Sequence, residues 1–243
     1  RGAFHNHTTA SDGKHTLEQM AEAAQELGLQ YLGISDHSQS SVQANGLNAE
    51  RLEQQIAEIA LLNKGFGSDF RLFSGSEVDI KRDGSLDFED DLLAQLDYTV
   101  ASVHNAFQLP EREMTDRILS AIANPHVTML GHVTGRLLLQ REAYAVNIPE
   151  ILDACAANQT MIELNGNPWR LDLDWRWWKL AKEKGVRCVI NPDGHRQEDL
   201  QYLHFGILMA RKGWLTRKDV VNCLSLGKIE AELQKKRSSG TSS

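Results

Sequence analysis

The chain reads as an α/β protein whose parallel sheet is wrapped by helices and closes into a barrel. Two observations predict this. Strand-like and helix-like segments alternate along 243 residues with no internal linker to divide them, the pattern of parallel-sheet architectures. In addition, six of the nine histidines fall at or just past the end of a strand-like segment, where such barrels carry their chemistry.

The first strand ends in FHNHTTASDG, which places His5 and His7 two apart and Asp12 in a Ser-Asp-Gly turn. Residues i and i+2 of an extended strand project to the same side, so the two imidazoles share a face. With a carboxylate beside them they form a donor set for a divalent cation. Taken alone, a His-x-His is more often a polar strand end facing water.

The segment TLEQMAEAAQELG then combines a capping box (Thr16 with Gln19), an apolar face of Leu17, Met20, Ala24 and Leu27, and Gly28 as the stop, so an amphipathic helix is expected. YLGISDH is a short, largely apolar run of the kind buried parallel strands show, and a polar loop leads from it to the helix AERLEQQIAEIALLNK. Further strands are read in RLFSGSEVDI, YTVASVH, VTMLGHV, TMIELNG and RCVINPDGH, with helices near 111–124, 150–158 and 175–185. The total is seven strand–helix units, enough for closure into a barrel.

The length allows one large α/β domain or two small ones, and the unbroken alternation favours a single domain over 1–235. The ending KKRSSGTSS reads as a disordered tail over 236–243. The absence of an initiator Met and the immediate start of a ligand-bearing strand suggest a domain cut from a longer protein. A net charge of −7 argues against a freestanding nucleic-acid-binding surface, which would normally be basic; bound divalent cations would alter that balance locally. Cys155, Cys188 and Cys223 are odd in number and lack metal-knuckle spacing, as expected for reduced thiols in a cytoplasmic protein. No apolar run approaches the length of a membrane span and no signal peptide is visible, so no membrane partner is expected.

The strand ends add Asp36 beside His37, Glu77 in GSEVDI, His104 in ASVH, His132 in GHVTGR, and Asp193 two before His195. His15, His126 and His204 fall in a turn or on helical segments and read as ordinary residues. His104 or His132 could singly be a satisfied core histidine. Together, however, six imidazoles and at least three carboxylates exceed the needs of one catalytic metal, which takes three protein ligands and an open position. Two or three divalent ions are implied, and imidazole with carboxylate suits zinc, manganese or iron.

The ordered series HNHTTASDG, ISDHS, GSEVDI, ASVH, GHVTGR and NPDGH resembles the motifs of the PHP superfamily, the polymerase-and-histidinol-phosphatase metal-dependent phosphoesterases. SDGKHTLEQMAEAAQELG, ELNGNPWRLDLDW and FGILMARKGWLTRKDVVNCL are most similar to the C-terminal PHP domain of bacterial and archaeal family X DNA polymerases. The resemblance implies a distorted (βα)7 barrel with three divalent metals. His5, His7, Glu77 and Asp193 would hold one; Asp12, His37 and His195 a second; Glu77 again, with His104 and His132, the third. It also implies a polymerase domain upstream. Ala3-Phe4, Asn105, Pro192 and Gly194 depart from the family's usual residues, but no ligand position is lost.

Metals a few ångströms apart can acidify a bridging water and hold phosphoryl oxygens, which suits phosphoester hydrolysis. Around them, Asp36 is placed to orient an imidazole through its second nitrogen. Arg136 and Arg170 follow the fifth and sixth strands and could clamp phosphate oxygens, with solvated surface charge as the alternative; Lys81 is a weaker candidate. Trp175 and Trp178 read as packing residues. Trp169, beside Arg170, is open to either packing or stacking on a base. The expected activity is hydrolysis of phosphodiesters at DNA 3′ ends, a 3′–5′ exonuclease or end-processing function. The alternative is a small-molecule phosphatase acting on histidinol phosphate or a nucleotide.

Overall fold

The computed structural model describes residues 1–240. Seven strands, β1 (Gly2–Ala3), β2 (Tyr31–Ile34), β3 (Arg71–Asp79), β4 (Tyr98–Ser102), β5 (Met129–Leu130), β6 (Met161–Asn165) and β7 (Cys188–Asn191), form one sheet in the order of the chain. Every pairing is parallel, with Tyr31 opposite Arg71, Glu77 opposite Val100 and Glu163 opposite Val189. The last strand returns to the first at an isolated parallel bridge between Asn6 and Gly194. His7 N–H donates to Gly194 O at 2.8 Å and Gly194 N–H to His5 O at 3.2 Å. The result is a nearly closed, distorted (βα)7 barrel, as the alternation predicts.

The helices are α1 (Leu17–Glu26), α2 (Ala49–Leu62), α3 (Asp90–Leu93), α4 (Glu111–Ala123), α5 (Ile148–Asn158), α6 (Trp178–Glu183), α7 (Leu203–Lys212) and α8 (Leu226–Gly240). The expected capping box is present: Thr16 accepts from Gln19 N–H while Gln19 reaches back to Thr16 N–H. Asn48 and Asn147 cap α2 and α5 by a single bond each, their side chains accepting from Arg51 N–H and Glu150 N–H. α8 extends into the segment read as a tail; residues 241–243 lie outside the described ones. The 175–185 segment starts as a 3-10 turn, Trp175–Trp177, before α6.

Alternation along the strands sorts the side chains. Leu72, Val78, Ala101, Leu130, Ile162, Leu164, Cys188 and Ile190 face the helices. Phe73, Tyr98, Val100, Met129, Met161 and Val189 fill the lumen together with Phe4 and Tyr31. Close packing there requires glycine: a Cβ on Gly75 would lie 2.3 Å from the Tyr98 ring. Two of the expected strands are much shorter than their apolar runs suggested. Pairing in β1 stops at Ala3, and β5 ends at Leu130, just before His132 at φ +21°. The chain leaves the ladder there to point its histidines inward.

Candidate metal centre

Above the apolar plug, the C-terminal ends of the strands bring all nine expected ligand residues together. His5 Nε2 lies 3.3 Å from Glu77 Oε2 and 3.7 Å from Asp193 Oδ1; His7 Nε2 lies 3.7 and 3.5 Å from the same two atoms. Asp12 Oδ1 stands 3.8 Å from His37 Nε2 and 3.4 Å from His195 Nε2. The other oxygen of Glu77, Oε1, is 2.8 Å from His132 Nε2 and 3.2 Å from His104 Nε2. Glu77 therefore presents one oxygen to each of two histidine groups, and a parallel bridge between Glu77 and His37 fixes its backbone.

The donor set fits divalent ions on its own chemistry. His5 Nε2, both ring nitrogens of His7, and His37 Nδ1 are buried with no hydrogen-bond partner among the described residues, a costly arrangement unless something accepts their lone pairs. Four overlapping groups of these residues have donor atoms within 4.8 Å of one another. The electrostatics agree. Burial raises the Glu77 and Asp193 carboxyls, but the surrounding imidazoles, and for Asp193 also Arg170, outweigh it and hold both well below their usual range. Burial works against charge on His104 and His195, yet Glu77 and Asp79 lift the first to about 10, and Asp12 and Asp193 lift the second to about 9. In the absence of metal these imidazoles hold protons where the cation would sit.

Two orienting carboxylates escaped the sequence reading. Glu163, buried on β6, accepts from His5 Nδ1 at 2.6 Å and from His132 N–H at 3.0 Å, with Asn165 and Asn191 donating at 2.9 and 3.0 Å. Asp79 on β3 bonds His104 Nδ1. Each leaves the imidazole's Nε2 free to face the centre. The available signal was an acid on the lumen side of an otherwise apolar strand, in MIELN and SEVDI.

Asp36 does something else than expected. It is fully buried, and it accepts from Thr8 N–H and Oγ1, both at 2.7 Å, from Ser11 Oγ, and from Gln55 Nε2 at 2.6 Å. It pins the loop that carries Asp12 rather than orienting an imidazole, because its strand end turns it toward that loop. Arg136 also departs from expectation. Its guanidinium donates to Arg170 O at 2.8 Å, Asp174 Oδ2 at 2.8 Å and Leu171 O, so it braces the loop after β6 instead of reaching a phosphate. Arg170 does reach the centre: Nε donates to Asp193 Oδ2 at 3.0 Å, and Nη1 is buried without a partner among the described residues. Lys81 is exposed on a hairpin after β3. Arg117 on α4, which sequence gave no reason to single out, braces the loops after β3 and β4 through Ile80 O, Lys81 O and Asn105. Asn105 Oδ1 accepts from Arg117, which gives this departure from the family's pattern a role.

A metal-binding cluster at the C-terminal mouth of a (βα)7 barrel defines a class, and residues 3–167 match the PHP domain; the chain belongs to this family of metal-dependent phosphoesterases. Among its relatives, it is 44% identical over 235 residues to the DNA polymerase/3′-5′ exonuclease PolX of Bacillus subtilis (strain 168), a match covering 97% of this chain and 41% of that protein. The chain thus spans less than half the length of that relative. It is 27% identical over 248 residues to a probable phosphatase of Thermoanaerobacter sp. (strain X514), covering 96% of this chain and 94% of the relative. In fold it is similar to the histidinol phosphate phosphatase of Lactococcus lactis subsp. lactis Il1403, solved with zinc, L-histidinol and phosphate: TM-score 0.63 at 17% identity, over 89% of this chain and 94% of that one. No helix of the described residues is long and apolar enough to cross a membrane.

Proposed function

We propose that this domain hydrolyses phosphodiesters at DNA 3′ ends, as a 3′–5′ exonuclease or end-processing unit working beside a polymerase domain. The observation that carries the reading is the sharing of Glu77 between two groups of imidazoles, together with the 44% identity to a protein named for both polymerase and exonuclease activities. His5, His7, Glu77 and Asp193 would hold one ion, Asp12, His37 and His195 a second, and Glu77 with His104 and His132 a third, with zinc, manganese or iron as candidates. Bound divalent ions would supply an acidified water and positive charge opposite the phosphoryl oxygens.

The chain's own residues do the rest. Glu163 and Asp79 hold the imidazoles of His5 and His104 in one tautomer and orientation. Asp36 fixes the loop that presents Asp12. Arg170, anchored through Nε, has Nη1 free to donate to a non-bridging oxygen as charge builds there. Asp12 and His195 are each about one-third exposed, so substrate enters on their side of the cluster.

The second reading, a small-molecule phosphatase, is favoured by the probable phosphatase that matches this chain almost end to end. Incubating the protein with manganese and 5′-labelled oligonucleotides, beside a panel of phosphate monoesters, separates the two. Stepwise shortening from the 3′ end is expected. Phosphate release from monoesters with intact oligonucleotides would establish the second reading instead.

A further inference from the structure

Trp169 is about half exposed, at 52%, on a loop that is anything but loose. Its N–H donates to Asn167 Oδ1 at 3.0 Å, and the N–H groups of Arg170 and Leu171 donate to Asn167 O at 2.8 and 3.0 Å. Arg136 clamps the next carbonyls. A large apolar ring held partly in water on a fixed loop gains little from packing. Two tryptophans further along the same segment differ: Trp178 is buried with Nε1–H on Leu173 O at 3.2 Å, and Trp175 lies under Lys212 Nζ, 4.6 Å from the ring.

The neighbouring loop repeats the theme. Leu138 N–H donates to Trp169 O at 2.6 Å, and the next residue, Leu139, is fully exposed at φ +65°. A leucine in left-handed backbone with its side chain wholly in solvent carries strain without burial in return. The two loops that carry these exposed apolar groups are thus joined by a backbone hydrogen bond, and Trp169 directly precedes Arg170, whose Nη1 is unpartnered beside Asp193.

From this juxtaposition we infer that Trp169, flanked by Leu139, is a platform on which a nucleobase of a single-stranded end stacks while Arg170 takes a phosphate of the same strand. The inference rests on the phosphodiesterase reading and adds how the site would tell a nucleic acid from a plain phosphate ester. Aromatic stacking suits that task because every base presents a flat face, so the grip does not depend on sequence. The bracing by Arg136 and Asn167 means that the backbone carrying the ring is already fixed, which lowers the ordering cost on binding.

The test is binding, measured by fluorescence anisotropy of a 5′-fluorescein-labelled dT10 whose 3′-terminal linkages are phosphorothioates, with the purified protein and its metals. Trp169→Ala should raise Kd roughly 5- to 150-fold, in line with the loss of one stacked base. Trp169→Phe should recover most of the affinity, and Trp214→Ala, an exposed tryptophan following α7, should bind like wild type. Wild-type affinity in Trp169→Ala, no recovery in Trp169→Phe, or no binding of dT10 by the wild type would each overturn the platform. The outcome is separable from the proposed activity. Shortening of ordinary oligonucleotides with unchanged binding in Trp169→Ala would sink the platform and leave the exonuclease standing; tight, Trp169-dependent binding without shortening would do the reverse.

Discussion

The lumen of this barrel has two levels built from the same strands, and they obey opposite rules. Toward the strand N-termini, Phe73, Tyr98, Met129, Met161 and Val189 pack with Phe4 and Tyr31 into an apolar plug in which the Tyr98 hydroxyl finds a partner in Phe4 O. Two to four residues further along, Glu77, Glu163, Asn191 and Asp193 meet His5, His7 and His132, and several buried nitrogens are left unpaired. The lower level is complete in itself and stabilises by burial. The upper one gathers buried donors that a divalent cation would satisfy. Alternation therefore decides only that a residue faces inward; its height along the strand decides whether it serves stability or chemistry.

The sharpest way to break this contrast is at Glu77. Glu77→Gln keeps the side chain's shape but weakens both groups that share it, so phosphoesterase activity should fall by more than about 100-fold, beyond the loss usual for an outer partner. Metal content should drop while the melting temperature of the chelated protein stays within a few degrees of wild type, which calorimetry and elemental analysis can verify. One layer out, Glu163→Gln removes the charge behind His5. Metal affinity, measured by competition with a chelator, should weaken roughly 10- to 100-fold; an unchanged affinity would show that the neutral amide orients His5 as well as the carboxylate does.

In the plug the pattern should invert. Gly75→Ala drives a methyl group into the Tyr98 ring, and overpacking of this kind costs about 1–3 kcal/mol. Denaturant unfolding should register that loss, and metal stoichiometry should not change. The mildest effect is on pH. In the metal-free protein His104 is raised to about 10 and His195 to about 9, so their protonation stabilises the fold fully below their ordinary value of 6.5 and ceases to do so as pH climbs through those values. The melting temperature of chelated protein should thus decline between pH 6.5 and 9, and the slope should flatten once metal replaces the protons. A rising curve over that range would contradict the assignment.

Much of this was legible in the chain because strand ends in a parallel barrel converge. A histidine placed just past β4 or β7 has few places to go other than the mouth, which is why His104 and His195, ambiguous singly, gained meaning as members of the set. The seven-unit count was also legible from the alternation of apolar strand-like runs with helical segments, the first of them marked by the Thr16 capping box; the Asn147 cap was not read, and α5 starts at Ile148 rather than near 150. What sequence could not resolve was the direction of individual side chains around the site. Arg136 and Arg170 look equivalent in their motifs, and only the folding back of the loop after β6 commits one to backbone carbonyls and the other to Asp193. Asp36 sits beside His37 in the sequence, but adjacent residues on extended backbone point apart, which sends its carboxylate to Thr8 and Ser11. Glu163 was hidden for the opposite reason: it sits within a strand rather than at its end.

The barrel's seam joins its first strand to its last, and there the backbone contacts are sparse, a bridge at Asn6 and Gly194 with the bonds around it. His5 and His7 stand on one side of that seam, Asp193 and His195 on the other. An ion held between them would act as a cross-link closing a loop of nearly the whole chain, and such long closures restrict the unfolded ensemble most. The catalytic ion would then double as the clasp of the barrel: stripping it would loosen the β1–β7 edge first, and that edge is where amide exchange should quicken while the plug beneath stays protected.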